Sequence, residues 1–293
     1  MTIPSASVLV NALVSGVLLG GLFAVTALGL SLVFGVMRLI NIVHGELLVL
    51  GAYLALWFTR HTGIDPLLSL VVVAPALFLV AAPVYRFLLE PLSAKGPEPA
   101  MLTTFGLSVI AQSVFILVWS GDTQSLPASY VSKSVVILGV RVAMTYLVSF
   151  AVAVVLFVAV QLLLQRTSVG REIRASSEDA GAAEALGVDV RRTHTLVYGL
   201  AAAFAAVGGV LVGTTFSFTP TSGLSYLLTG FAVVVLGGLG SVKGTFLGAI
   251  VLGVTESVGG AFFGDGYRDF VGFVVFLAVL SLRPQGLFGR RVA

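Results

Sequence analysis

From Val8 to Val36 the chain runs 29 residues without a charged side chain. A helix rises about 1.5 Å per residue, so this run reaches roughly 43 Å, more than the ~30 Å hydrocarbon thickness of a bilayer. In lipid every backbone polar group has to be satisfied within the chain, which leaves the helix as the form for such a segment. The rest of the sequence agrees. Hydrophobic residues make up 58% and charged residues 10%, against roughly 25% charged in a soluble domain. A soluble fold of this length could not hide so much apolar surface. Composition therefore excludes an ordinary soluble enzyme, a disordered chain and a nucleic-acid binder. The net charge of +3 is too small for a polybasic partner signal, and the absence of cysteine excludes disulfides, zinc–thiolate sites and thiol nucleophiles. Met1 to Met37 carries no charge and hence no signal-peptide n-region, so the first run reads as a retained span.

Eight further apolar segments follow: Ile42–Phe58, Leu67–Leu89, Met101–Trp119, Val142–Leu164, Thr195–Phe216, Tyr226–Leu239, Thr245–Phe263 and Phe270–Leu282. The fold class is all-α, a polytopic integral membrane protein with eight or nine transmembrane helices. The count depends on Tyr226–Leu239, which is short and glycine-rich. No low-complexity linker divides the chain, so residues 1–293 form one domain. With nine crossings, Arg38, Arg86, the arginines of 166–192 and the C-terminal Arg283, Arg290 and Arg291 share one side. The positive-inside rule makes that side cytoplasmic and places the N-terminus outside. Arg60, Lys133, Arg141 and Arg268 fall outside as a minority.

Two patterns concern helix association. Gly16/Gly20, Gly209/Gly213 and Gly240/Gly244/Gly248 are spaced by four, which sets small residues on one helical face where backbones approach closely. Leu18–Val25 also echoes Leu227–Val234. Transporters often contain such repeats with interrupted helices at matching positions, and chance in Leu/Gly/Ala/Val-rich sequence is the equal alternative.

The densest polar cluster within apolar sequence is Arg38-Leu39-Ile40-Asn41-Ile42-Val43-His44-Gly45-Glu46. Such groups are costly in lipid and must face protein, water or the interface. On a helix, the spacing of Arg38, Asn41 and His44 would put them on one face. A helix break lining or gating a pathway and an interfacial turn anchored by Arg38 both fit. His44 with Glu46 falls short of a metal's three or four ligands. No Gly-x-Ser-x-Gly elbow supports a serine nucleophile. Gly237–Gly244 resembles a phosphate loop only superficially, because Lys243 precedes Gly244 and no Ser or Thr follows the lysine. Glu256 is either a functional carboxylate buried in a late span or a wet residue near its outer end.

The polar interval at about 165–194 holds five arginines: Arg166, Arg171, Arg174, Arg191 and Arg192. Within it, Ser176-Ser177-Glu178-Asp179 reads as a cap and acidic first turn, Ala180–Leu186 as a helix-forming run and Gly187 as a stop. These features predict a short cytoplasmic helix over Ser177–Gly187 with a small apolar face of Ala182, Ala183 and Leu186. Such a face suits docking onto another protein; a solvated connector is the alternative.

The segment Gly29–Glu46, Thr103–Ser108 with Gln112, Gly170–Ala175 with Ala182, Ala183 and Leu186–Val188, and the tail Arg283–Gly289 together resemble the membrane permeases of branched-chain amino-acid ABC importers, LivH type. Ile42-Val43 departs conservatively from the Phe-Ala common in that family. The resemblance implies an ABC importer permease fold in the bacterial cytoplasmic (inner) membrane. It implies a second homologous permease of the LivM type, two cytoplasmic ATP-binding subunits that hold ATP and Mg, and a periplasmic or lipid-anchored binding protein. The chain would then be no enzyme and hold no cofactor or metal of its own. Its coupling helix would be the 177–187 segment, flanked by Arg171 and Arg174. From the polar cluster itself, rather than from the resemblance, the translocation path or gate is expected to involve Arg38, Asn41, His44 and Glu46. Family members with this architecture also move urea, short amides or other amino acids. An ATPase-independent channel or secondary transporter is the more distant reading, and it leaves the patterned 165–194 interval without a purpose.

Overall fold

The structure, a computed structural model, describes residues 5–93, 95–137, 139–283 and 285–288. Helix α1 spans Ala6–Met37, α2 His44–Thr62 and α3 Pro66–Val84, which continues through a π turn (Tyr85–Leu89) into the short α4 (Glu90–Ser93). Then come α5 (Pro97–Trp119), a hairpin of β1 (Ser134–Ile137) and β2 (Val140–Ala143), α6 (Met144–Arg166), α7 (Ser168–Glu178), α8 (Ala180–Ala185) and α9 (Val190–Thr215). Helices α10 (Gly223–Gly237), α11 (Val242–Phe263) and α12 (Arg268–Leu282) complete the chain, the last after a 3₁₀ turn at Asp265–Tyr267.

Each of the nine apolar segments contains one long helix. Six of these are long and apolar enough to cross a membrane: Ala6–Met37, Pro66–Ser93, Pro97–Trp119, Met144–Arg166, Val190–Thr215 and Val242–Phe263. Their starts follow local chemistry. Asp65 accepts from Leu67 N–H at 2.9 Å with Pro66 at the first helical position, Asp189 accepts from Arg192 N–H at 2.8 Å, and Ser241 accepts from Gly244 N–H at 3.1 Å. Helix α10 has 15 residues, about 22 Å, too short to cross a ~30 Å core alone.

Helix α1 is the centre. From Gly16 to Val36 most of its residues are buried, against α6, α9, α10 and α11. The contact with α11 runs along the expected small-residue face. A Cβ added at Gly16 would lie 2.6 Å from the Val254 Cα, and one at Gly20 would lie 2.6 Å from the Ile250 Cα. Gly237 of α10 and Gly244 of α11 meet backbone to backbone in the same way. Gly213 packs on Leu126 and Gly209 on Leu48. The echoing segments 18–25 and 227–234 lie in α1 and α10, which pack together.

The core is apolar, and so is much of the exterior. Val71 on α3, Leu117 on α5 and Val155 on α6 are 77%, 85% and 67% exposed, forming an apolar outer belt that water would not tolerate and lipid would. Loops gather at two ends. At one, Glu90 pairs with Arg191 at 2.6 Å, and Leu287 N–H donates to the Leu236 carbonyl at 2.8 Å. At the other, Arg60 donates to Gln124 at 2.7 Å, and Gln124 pairs with Phe218. The hairpin lies at this second end, with Val140 and Val142 packed on Leu18. Residues 134–143, which run from the interval after Met101–Trp119 into the apolar segment beginning at Val142, pair antiparallel around Gly139, whose φ of 81° suits a tight turn.

The glycine contacts predict a paired result. Gly20→Ala drives a methyl into the α11 backbone and should destabilise the fold by about 1–3 kcal/mol. Gly106→Ala on α5 meets nothing within 4 Å and should be neutral or slightly stabilising. Thermal unfolding of the two purified variants tests this; equal melting temperatures would show that α1 and α11 are not held at this distance.

Candidate functional site

The break between α1 and α2 is not helical. Arg38 ends α1 in the left-handed region at φ 52°, and residues 39–43 form an irregular connection. The expected shared helical face of Arg38, Asn41 and His44 is therefore corrected: the three-residue spacing places neighbours together only within a helix. Arg38 is exposed at the end of α1, whereas Asn41, His44 and Glu46 are turned into the protein and are no more than 2% exposed.

Each of the three has partners from distant segments. Tyr198 O–H of α9 donates to Asn41 Oδ1 at 3.3 Å. His44 Nε2 lies 3.1 Å from the Thr26 carbonyl of α1. A carbonyl only accepts, so Nε2 carries the proton; Nδ1 has no partner. Glu46 Oε1 accepts from Ser108 Oγ at 3.1 Å and from Gln112 Nε2 at 2.8 Å, both on α5, while Oε2 is without a partner. One turn earlier on α5, Thr104 Oγ1 accepts from Ile42 N–H at 3.3 Å. Thr104, Ser108 and Gln112 recur every four residues, so one stripe of α5 supplies polar partners to the whole irregular segment. Thr26 and Tyr198 carry no sequence signal for this role. They are reached only by the packing of α1 and α9.

Two helix N-termini meet here. A Cβ at Gly45, in the first turn of α2, would collide with the Gly223 carbonyl at the start of α10. The Glu46 carboxylate sits against Gly223 itself. The first turns of both helices have N–H groups without intrahelical partners and a partial positive charge. A carboxylate beside them is favoured electrostatically. Buried short helices whose N-termini converge are the arrangement that secondary transporters use around their substrates.

The 165–194 interval differs from expectation in its helices. The segment holds two, α7 and α8, joined at Asp179. The cap of the second is Asp179, whose side chain accepts from Ala182 N–H at 3.0 Å, and not Ser177. Ser177 and Glu178 belong to the end of α7. Helix α7 is positioned by burial of Gly170, Ile173 and Ser176, a three-residue period visible in the sequence. Ala183 is 2% exposed and packs inward, so it drops out of the expected outward face. Ala182 and Leu186 remain exposed, Leu186 at 85%. Gly187 stops the segment at φ 87°. Arg171 and Arg174 are exposed, and neither enters an ion pair among the described residues. In the tail, Gly286 abuts the end of α10; Pro284, Gly289, Arg290 and Arg291 lie outside the described residues.

Glu46 held by α5 predicts an energetic coupling. Gln112→Ala removes a charge-assisted hydrogen bond inside the protein and should destabilise by about 1.5–3 kcal/mol. In a double-mutant cycle with Glu46→Gln, the second substitution should recover part of this loss. Additive effects in unfolding experiments would show that the two side chains do not interact.

Residues 12–280 match the family model for the permease component of branched-chain amino acid transport systems. The chain is 31% identical over 291 residues to the high-affinity branched-chain amino acid transport system permease protein BraD of Pseudomonas aeruginosa, covering 95% of each. It is 29% identical over 289 residues to LivH of Escherichia coli, a protein of the same description, covering 94% of each. Among solved structures, PsaBC from Streptococcus pneumoniae in complex with a Fab matches with a TM-score of 0.50 at 14% identity, over 95% of this chain and 91% of that one; this likeness bears on the fold. With its multi-pass helical architecture and a family match that begins in α1 and ends in α12, the chain belongs to the family of branched-chain amino acid transport system permease components.

Proposed function

We propose that this chain is the membrane permease subunit of an ABC importer for leucine, isoleucine and valine in a bacterial inner membrane. The match to BraD over nearly the whole of both chains carries this reading. In it, the chain forms half of a translocation path beside a second, LivM-type permease. Two cytoplasmic ATP-binding subunits bind ATP and Mg and perform the hydrolysis, so bond-breaking chemistry lies outside this chain. A binding protein, periplasmic or lipid-anchored, delivers the substrate.

Alternating access then needs a gate and a lever. Asn41, His44 and Glu46 are suited to the gate because they tie the start of α2 to α1, α5 and α9 through polar contacts that can be exchanged, while the start of α10 packs against Gly45 and Glu46. Arg38 sits at the foot of the same connection. The lever is α7–α8. Helix α7 is anchored in the body of the protein, and α8 presents Ala182 and Leu186 outward. An 85% exposed leucine among charged neighbours is a natural anchor for a groove on a partner. Arg171 and Arg174 nearby can steer an acidic rim during encounter.

Leu186→Glu should reduce co-purification of the ATP-binding subunits at least about tenfold, since a charge placed in an apolar contact is left unpaired, while the permease itself still folds. Retention of both subunits at wild-type yield, with uptake unchanged, would remove α8 from the coupling role. Sidedness has a separate test. Single cysteines at 178 and 133 of this cysteine-free chain should label from the cytoplasm and the periplasm respectively; the reverse pattern with an impermeant reagent in intact cells would invert the topology.

A further inference from the structure

Beside the Glu46 junction, and sharing Thr26 with it, lies a cavity of about 230 Å³ bounded by α1, α9, α10, α11 and α12. Its volume equals roughly eight water molecules at ~30 Å³ each, on the scale of one small amphipathic molecule. One side is mainly apolar, with Leu22 and Phe23 of α1 and Val212 of α9; Thr26 of α1 and Ser225, Tyr226 and Thr229 of α10 add hydroxyls. The other carries charges of both signs: Glu256 on α11, and Arg268 and Asp269 at the start of α12.

Among the described residues, Glu256 and Arg268 are incompletely matched, while Asp269 is exposed. Glu256 is 7% exposed and is pressed against Gly272, where a Cβ would come within 2.8 Å of Oε1. Neither ion pair among the described residues includes Glu256 or Asp269. Arg268 reaches Asp265 with Nη2 at 2.8 Å, and its buried Nε has no partner. A carboxylate held out of water and outside any ion pair is costly, and inside a membrane protein it marks a ligand or ion pathway.

A mainly apolar wall facing a cation and two acids suits a ligand that carries charges of both signs and an apolar part. A divalent metal would be repelled by the guanidinium. A zwitterion with an aliphatic side chain satisfies all the walls at once. We propose that this cavity is a resting site for the transported amino acid: the α-ammonium lies between Glu256 and Asp269, the α-carboxylate faces Arg268, and the branched side chain packs on Leu22, Phe23 and Val212. The inference rests on the importer reading above and gives it a substrate-contacting site within this chain.

The test uses the complete importer reconstituted in vesicles, with uptake of radiolabelled leucine. Glu256→Gln and Arg268→Met should each lower uptake at least about tenfold by removing one half of the zwitterion's recognition. Thr229→Trp, on the partly exposed α10 side of the cavity, should fill the space and block uptake with both charges intact. Competition adds chemical resolution. 3-Methylbutylamine, which has the ammonium and no carboxylate, should compete relatively better in Arg268→Met than in the wild type. 4-Methylpentanoate, which has the carboxylate and no ammonium, should compete relatively better in Glu256→Gln. Each variant is first checked for co-purification with its partner subunits; Thr229→Trp decides the outcome if a charge variant does not assemble. Wild-type uptake of leucine with unchanged uptake in the assembled variants would overturn the site and leave the importer reading standing. Failure of the wild type to import leucine, isoleucine or valine would overturn both.

Discussion

Helices in lipid are not driven together by the exclusion of apolar surface from water, because the surrounding chains are just as apolar. Their association depends on how closely backbones approach. In this protein the dependence centres on α1, whose glycines bring it against the α11 backbone at Gly253 and Val254 and against α9 at Ala201. Everything else is arranged around that helix. The close seam with α11 leaves room on the other flanks for α6, α9 and α10, while the bulkier side chains of α3, α5 and α6 can turn outward. Glycine lowers intrinsic helix stability by roughly 1 kcal/mol in water. Here the loss is offset by contacts that any larger residue would prevent.

The same constraint explains where irregular backbone is found. Residues 39–43 and the start of α10 interrupt helices inside the body of the protein, which lipid alone would not permit. Residues 39–43 are held because Thr104 accepts from the Ile42 N–H and because Tyr198, Ser108 and Gln112 partner the side chains of Asn41 and Glu46. A polar stripe on an otherwise apolar helix is thus the counterpart of a break in its neighbour. The two features are one structural unit, although more than 60 residues separate them in the chain.

Much of this was legible in the sequence. The nine apolar segments coincide with the nine long helices because hydropathy reports directly on the solvent, and the membrane is a uniform one. The Arg38–Glu46 cluster stood out for the same reason: three ionisable residues between apolar runs have few places to go. What the sequence did not convey was geometry that depends on distant packing. The common face of Arg38, Asn41 and His44 presupposed a helix, and the left-handed Arg38 ends it. In Ser176-Ser177-Glu178-Asp179 several residues can cap a helix; burial of Ile173 and Ser176 in α7 decides that Asp179 does so. The 134–143 hairpin was hidden where a polar interval runs into the next apolar segment, since two four-residue strands leave a weak signal. Glu256 was ambiguous because burial and nearness to a helix end both hold for it.

The docking of the tail onto α10 has a practical side. A helix ends with carbonyls that have no internal donors, and at Leu236 the missing donor is the N–H of Leu287. The end of a short helix is therefore completed by residues that a hydropathy plot would discard as a soluble extension. An affinity tag or fluorescent fusion appended beyond this point leaves the contact intact, whereas shortening the chain to the end of α12 removes it. Choosing an expression boundary by counting spans would expose that carbonyl beside the seam where Gly237 meets Gly244.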